Sequence, residues 1–387
     1  MIYIVCFGAS ALFAYLANKT KNRAVFLLLS LVSILLPAAL AGLRDYSIGI
    51  DTINYMTMPR FWAGAVKRDT LQAYLQYYES LGYGELLYAF LLGVVEHYTG
   101  NFSAFLFVEH AVIVTCVYIG AFRQRSHVNP AMVLLLFYLF FFNHSLNITR
   151  QYMAMSIVFA ALADVEQKKY LRFLIVVFIA RFVHTSALLS LGAVLVHWVL
   201  YGNFVRVAPS LRPSTRARRL FILTALSCLV FLFPWLCRML INVGIIPSKY
   251  AFFLNSEEAE HSTLITLFLL VEMFALFMLR KQMPRSTPYY NYFLVSSVSY
   301  LILHQLSATL VYGKRIAAYY SLGNLVTIAL IPRSFKVKEN RIVATVLVLM
   351  VAFVYWWYCY ALRNGSQTYP YVFIFEYLQS GLSATIQ

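Results

Sequence analysis

The sequence predicts an all-α polytopic integral membrane protein with about twelve transmembrane helices. Of its 387 residues, 61% are hydrophobic and only 12% are charged, whereas about 25% of the residues in a soluble domain are charged. Apolar runs of about 20 residues, the length that a spanning helix needs, recur along the chain. Most Lys and Arg residues fall in short gaps between these runs, as in cytoplasmic loops of membrane proteins. We therefore expect a single transmembrane domain over residues 1–387.

Twelve apolar runs are predicted to span the membrane, within a range of 11–14. A thirteenth run, 85–96, carries two glutamates and has about 12 residues, which is short for a crossing. The predicted spans are residues 2–17, 24–43, 102–122, 130–146, 149–165, 170–183, 185–201, 220–240, 262–279, 289–311, 315–331 and 342–362.

The distribution of positive charge orients these helices. Six gaps hold 20 of the 31 Lys and Arg residues, so we assign them to the cytoplasm and both termini to the outer side. An odd number of crossings must then separate residue 44 from residue 123, so the 85–96 run should re-enter or lie flat at the outer surface. The six cytoplasmic gaps are 18–23, 123–128, 166–172, 202–219, 280–288 and 332–341.

Three longer segments are expected on the outer side. The loop 44–84 is polar and aromatic, and its length predicts a functional role over the helix bundle. The second outer loop, 241–261, contains an acidic cluster, and the tail 363–387 contains Tyr369-Pro370-Tyr371.

Several function classes lack support in the sequence. The net charge of +16 does not predict a nucleic-acid partner, because no basic stripe is interleaved with exposed aromatic residues. The five cysteines lie in apolar segments without metal-ligand spacing. No HExxH, CxxC, P-loop or dinucleotide fingerprint occurs, so we expect neither a cofactor nor a metal.

Two candidate motifs precede or follow predicted spans on the outer side. In the first, Arg44, Asp51 and Tyr55 lie within twelve residues around Gly49, which permits a tight turn. The second ends in Arg150-Gln151, and an Arg fork suits phosphate oxygens. Simpler readings are an interfacial anchor for the first motif and a snorkelling Arg for the second.

Two further motifs are expected on the same side. Arg181 and His184 are three residues apart and share a helical face, and His exchanges protons near neutral pH. The alternative for His184 is a hydrogen-bonded packing role. The fourth motif contains the adjacent cations Lys314 and Arg315, and Tyr319 lies one helical turn after Arg315.

Ionisable residues inside the predicted spans point to a wet cavity. Glu109, His110 and His304 lie in the outer halves of their spans, and Glu272 lies near the middle of its span. Such groups are costly in lipid and usually face a protein interior or a cavity. Outward cations around a cavity favour an anionic ligand, and lipid phosphates and pyrophosphates are the obvious candidates in a bilayer.

Taken in order, these motifs resemble the EpsG-type Wzy family of bacterial polysaccharide polymerases. The resemblance covers most of the chain, although each motif is short. The matching residues are Gly49, Asp51, Thr52 and Tyr55 after Arg44; Asn147, Arg150 and Gln151; His184, Ser186 and Ala187; Arg315 and Tyr319; and Pro370 and Tyr371.

This resemblance implies transfer of a polyprenyl-pyrophosphate-linked glycan onto another lipid-linked repeat unit, at the outer (periplasmic) face of the bacterial inner membrane. The product would be O-antigen, capsule or exopolysaccharide, with a chain-length regulator and a flippase as partners. The transfer needs a base and positive charge on the leaving pyrophosphate. The implied base is Asp51 or His184, with Asp51 slightly preferred because its loop can reach a sugar. The residues implied to contact the substrate are Arg44, Tyr55, Arg150, Gln151, Arg181, Lys314, Arg315 and Tyr319.

Two other functions remain open. A polyprenyl-phosphate-sugar glycosyltransferase would add one sugar, but its acidic outer loop usually follows the first span and here follows the second. A lipid-linked oligosaccharide flippase or transporter would line both halves of the bundle with polar groups and often contains repeats. Here the polar residues concentrate on the outer side, and no internal repeat is visible.

Overall fold

The computed structural model describes residues 1–54, 84–201, 214–245, 262–282, 288–311 and 313–374, together with residues 76, 251 and 254. Tyr55, most of the loop 44–84, most of the loop 241–261 and the end of the tail 363–387 lie outside these residues. The chain divides into two compact units. The first unit comprises Met1–Ala163, Ile175–Ala187 and Val343–Gln387, and the second comprises Asp164–Leu174 and Leu188–Ile342.

The described residues form helices joined by short connections, with one isolated antiparallel bridge between Arg44 and Phe373. The helices are α1 (Ile2–Lys19), α2 (Arg23–Gly42), α3 (Leu86–Thr99), α4 (Phe102–Arg123), α5 (Pro130–Phe137), α6 (Thr149–Glu166), α7 (Tyr170–Arg181), α8 (Leu191–Tyr201), α9 (Thr215–Asn242), α10 (Thr263–Leu279), α11 (Pro288–His304), α12 (Gly313–Leu330) and α13 (Lys338–Trp356). Short π or 3₁₀ segments extend several of them.

Each predicted span coincides with helical residues, but the predicted count of about twelve is not confirmed. Within the described ranges, five helices are long and apolar enough to cross a membrane: α1, α2, α4, most of α9, and α13 with its extension. The other helices are shorter or more polar. Helix α3 has 14 residues, about 21 Å at 1.5 Å per residue, which is less than a hydrocarbon core of about 30 Å. Its re-entrant or interfacial position stays a prediction.

Short polar side chains begin several of these helices. The side chains of Asn22, Asn101 and Asn129 accept hydrogen bonds from backbone N–H groups in the first turns of α2, α4 and α5. Pro130 follows Asn129 at the first helical position, where the missing N–H of proline costs nothing. The sequence therefore specifies these helix starts locally.

Hydroxyl groups link the helices of the first unit. Helix α1 packs against α2 and α5. The Ser10 hydroxyl donates to the Ser33 carbonyl at 2.6 Å, and it lies 2.7 Å from the Tyr138 hydroxyl. Helix α2 also packs against α4, where the hydroxyls of Ser30 and Tyr118 are 2.6 Å apart. Such bonds between helices hold a membrane bundle together where water is absent.

The residues after α13 fold back over the first unit. The Thr368 carbonyl accepts a hydrogen bond from the Tyr3 hydroxyl at 2.7 Å, and the Thr368 hydroxyl accepts one from the Asn143 amide at 3.0 Å. The other end of the Asn143 side chain accepts a bond from the Trp356 indole at 2.7 Å. Asn143 thus joins the end of α5 to α13 and to the tail.

The second unit is built around α11. This helix packs against α12, α9 and α10. The Thr327 hydroxyl of α12 donates to the Phe293 carbonyl of α11 at 3.0 Å. Glu272 of α10 accepts a hydrogen bond from Asn324 of α12 at 2.7 Å.

We predict that Asn143 and Trp356 stabilise the first unit through their mutual hydrogen bond. Asn143→Leu should lower the melting temperature of the purified protein, since an unpaired buried donor costs roughly 1–3 kcal/mol. Trp356→Phe should also lower it. The double variant should lose less than the sum of the single variants, because both substitutions remove the same bond. Strictly additive losses would contradict the prediction.

Candidate functional site

The first motif begins with a fully buried arginine. Arg44 directly follows α2 and has an exposed fraction of 0%. Its two terminal nitrogens donate to the carbonyls of Ala41, at 3.0 Å, and of Leu146, at 3.1 Å. The guanidinium therefore ties the end of α2 to the segment that precedes α6. Both terminal nitrogens of the buried Arg44 thus meet main-chain oxygens in this structure, and its contact with pyrophosphate stays a prediction.

The loop after Arg44 turns sharply and brings Asp51 next to the second motif. Gly49 has a φ of +91°, and a Cβ atom there would lie 2.8 Å from the Leu146 carbonyl oxygen. Glycine is thus required both by conformation and by space. Two residues later, the Asp51 backbone N–H donates to the Asn147 side chain at 2.7 Å. The half-buried Asp51 is thereby held beside the start of α6.

The tail completes the support of this loop. The backbone N–H groups of Asp45 and Gly49 donate to the carbonyls of Val372, at 2.9 Å, and Gln367, at 3.0 Å. The Tyr371 hydroxyl donates to the Leu40 carbonyl at 2.7 Å. The Pro-Tyr motif of the tail therefore lies against the first motif, although more than 300 residues separate them in sequence.

Three charged or titratable side chains meet at the start of α6. The Arg150 guanidinium donates to one carboxylate oxygen of Glu85 at 2.7 Å. The Nδ1 atom of His184 is hydrogen-bonded to the other oxygen of Glu85. The backbone places them together because the Leu87 N–H, at the start of α3, donates to the Phe182 carbonyl at 2.9 Å. We call Glu85, Arg150 and His184 the Glu–Arg–His cluster.

The cluster is accessible and its carboxylate is charged. The exposed fractions of the Arg150, His184 and Glu85 side chains are 26%, 24% and 10%. Burial raises the pKa of Glu85, but the hydrogen bond from His184 and the charge of Arg150 outweigh burial, so the pKa lies below its usual value of 4.5. An ionised Glu85 orients the His184 ring with Nδ1–H towards the carboxylate, so that in the neutral ring Nε2 is the acceptor nitrogen.

Two buried residues, Glu109 and Tyr88, adjoin the cluster. Glu109 of α4 has an exposed fraction of 0% and interacts electrostatically with both Arg44 and Arg150. Tyr88 of α3 neighbours both Arg150 and Glu109, since its ring centroid is 5.6 Å from the Arg150 guanidinium carbon and its hydroxyl interacts with the Glu109 carboxyl group. The Glu109 carboxyl group thus lies near two cations, and such a neighbour lowers the cost of placing them in an apolar interior.

The other predicted site residues fall into three groups. Gln151 is buried in the first turn of α6, and the half-buried Arg181 lies over the Phe182 ring at 5.2 Å. Lys314, Arg315 and Tyr319 lie on the first turns of α12 and belong to the second unit. Tyr55 lies outside the described residues.

Glu85 was not among the residues predicted to form the site. In the sequence, Glu85 is a carboxylate at the start of the apolar run 85–96, a pattern that bears on the membrane topology and does not by itself indicate a site. Among the described residues, no group of three or more His, Cys, Asp or Glu side chains could hold a metal ion. The cluster itself places a guanidinium and an imidazole on the two oxygens of one carboxylate.

The long apolar helices identify the chain as a membrane protein. Its charged cluster lies at the start of α6. The chain belongs to the EpsG family, whose family model matches residues 26–373. This match confirms the family predicted from the motifs. No curated protein and no solved structure matches the chain.

We predict that Glu85 stabilises the protein in a pH-dependent way. Glu85→Gln should lower the melting temperature at pH 7, because it removes the carboxylate that pairs with Arg150 and His184. Since the pKa is lower in the folded state than its usual 4.5, this stabilisation is complete above about pH 4.5 and is lost as the pH falls through the folded value. Melting curves of both proteins between pH 3 and pH 7 test it, and a gap that stays constant would refute it.

Proposed function

We propose that this protein is a polysaccharide polymerase. It would transfer a polyprenyl-pyrophosphate-linked glycan onto another lipid-linked repeat unit at the outer face of the bacterial inner membrane. Membership of the EpsG family supports a role in polysaccharide polymerisation. The Glu–Arg–His cluster is the observation that carries the proposed chemistry, because it combines a half-buried cation with an imidazole whose Nδ1 is hydrogen-bonded to a carboxylate.

The proposed transfer needs one bond to form and one to break. The hydroxyl oxygen of the acceptor sugar attacks the anomeric carbon of the donor glycan, and the bond from that carbon to the pyrophosphate oxygen breaks. Nε2 of His184 takes the hydroxyl proton. Glu85 stabilises the resulting imidazolium through Nδ1, as a carboxylate does in other carboxylate–histidine pairs.

Arg150 would stabilise the leaving group. Polyprenyl pyrophosphate departs as an anion, and a guanidinium fork binds its oxygens through paired N–H donors. In a site with few waters this interaction is stronger than in bulk water. Arg150 extends from the first turn of α6, whose N-terminal dipole adds positive potential in the same place.

We assign the remaining site residues to substrate contacts. Asp51 is the alternative base, and its position beside Asn147 favours a contact with the acceptor sugar. Gln151 and Arg181 neighbour the cluster in sequence and are proposed to support or contact the pyrophosphate. Tyr55, Lys314, Arg315 and Tyr319 are proposed, from the motif resemblance alone, to contact the lipid-linked glycan. A chain-length regulator and a flippase are the proposed partners.

We predict that Arg150→Ala abolishes the long-chain polysaccharide. In the native host lacking its own copy of this gene, the variant should lower polymer synthesis by about 10²–10³-fold, as expected when one charge-stabilising donor is lost. Polysaccharide is separated on a gel, and membrane abundance is measured by immunoblot. Arg363→Ala, which removes an exposed cation near the end of α13, is the matched control and should keep the full ladder.

Product length separates this proposal from its alternatives. A ladder from Arg150→Ala equal to that of the wild type would refute the assignment. Addition of one sugar by the wild type would favour the single-sugar glycosyltransferase. In liposomes containing lipid-linked repeat units, translocation without polymer would favour the flippase.

We further predict that His184, and not Asp51, is the general base of the transfer. His184→Ala should lower the rate by roughly 10²–10⁴-fold, the usual contribution of a general base, with little change in KM. Asp51→Asn should mainly raise KM if Asp51 contacts the acceptor. Initial rates with purified protein and varied acceptor concentrations distinguish the two. A larger loss in kcat from Asp51→Asn than from His184→Ala would reverse the assignment.

A further inference from the structure

A buried carboxyl group lies in the second unit, on a helix that carries none of the residues of the Glu–Arg–His cluster. Glu272 occupies the middle of α10, whose other residues are almost all apolar, and its exposed fraction is 5%. No ion pair joins Glu272 to a Lys or Arg side chain within the described residues. An isolated carboxylate in such surroundings costs several kcal/mol or more, and a buried carboxyl group usually becomes neutral instead.

Asn324 of α12 is the principal partner of this carboxyl group. It is 3% exposed, and its Nδ2 atom donates to Oε2 of Glu272 at 2.7 Å. Ser297 of α11 lies within hydrogen-bonding reach of the carboxyl group, and Tyr300 interacts with it electrostatically. The Ser297 hydroxyl proton is used within α11, since it donates to the Phe293 carbonyl at 3.1 Å.

The remaining oxygens of the pair are both buried acceptors. In the part of the chain that the structure describes, neither Oε1 of Glu272 nor Oδ1 of Asn324 receives a hydrogen bond. Two buried acceptors without a donor are unfavourable. One proton on Oε1 satisfies both, because a carboxylic acid and a carboxamide form a ring of two hydrogen bonds. The amide N–H to carboxyl bond of that ring is already present.

We propose that Glu272 and Asn324 form a proton-binding site inside the second unit. The bound proton lies on Oε1 of Glu272 and is donated to Oδ1 of Asn324, which locks α10 to α12 through a neutral acid–amide pair. Loss of the proton leaves a carboxylate facing an amide oxygen in an apolar interior. The packing of α10 against α12 therefore depends on retention of this proton. The site does not rest on the proposed polymerase activity.

Infrared spectroscopy of the purified full-length protein in lipid nanodiscs tests the proposal. The wild type at pH 7 should show the carbonyl stretch of a buried protonated carboxylic acid, which shifts in deuterated buffer. Glu272→Gln should lack that band, whereas Glu109→Gln, which removes a fully buried carboxyl group of the first unit, should keep it. Absence of a Glu272-dependent acid band would overturn the proposal. A band that appears only when sodium is removed would also overturn it, because the site would then hold a cation.

Thermal unfolding supplies a second readout that is independent of activity. Glu272→Gln keeps a neutral group that can both donate to and accept from Asn324, so its melting temperature should match that of the wild type. Asn324→Leu removes both partners of the carboxyl group and should lower the melting temperature. Equal losses in Glu272→Gln and Asn324→Leu would show that the pair does not act as a neutral acid–amide unit, and would refute the proposal.

Discussion

The buried guanidinium of Arg44 is the interaction on which the candidate site depends. It donates to the carbonyls of Ala41 and Leu146, so it joins the end of one helix to the segment that begins another. Burying a cation is costly unless opposite charge and hydrogen bonds compensate, and Arg44 has both these hydrogen bonds and an electrostatic interaction with the Glu109 carboxyl group. Arg44 holds the backbone of Leu146 beside the loop. A side chain at position 49 would clash with the Leu146 carbonyl oxygen, so the turn there requires glycine.

Hydrogen bonds from the tail make the same loop part of a larger scaffold. Residues after α13 bond to the backbone of Asp45 and Gly49, and Asn143 ties Thr368 to Trp356. In a membrane, backbone groups outside helices must find partners within the protein. The two non-helical segments satisfy each other, which explains why a loop near the N-terminus and a tail near the C-terminus meet.

The buried carboxyl groups of Glu85 and Glu272 differ in the number of hydrogen-bond donors around them. Donors surround Glu85, namely the guanidinium of Arg150 and the imidazole of His184, and these favour the ionised form. Glu272 meets one amide donor, and a nearby amide acceptor stays unsatisfied. As we propose, the same residue type can therefore orient a base in one unit and hold a proton in the other. Environment decides between the two roles.

Helix positions and short motifs could be predicted from the sequence, because apolar runs and Asn caps act over a few neighbouring residues. The number of crossings could not, since several helices are too short or too polar for length and composition to decide. Glu85 was missed as a site residue because its partners are 65 and 99 positions away. By itself the sequence determined the helical membrane class and the family motifs. Only tertiary structure buried Arg44 and joined Glu85 to Arg150 and His184, because hydrogen bonds depend on distance in space.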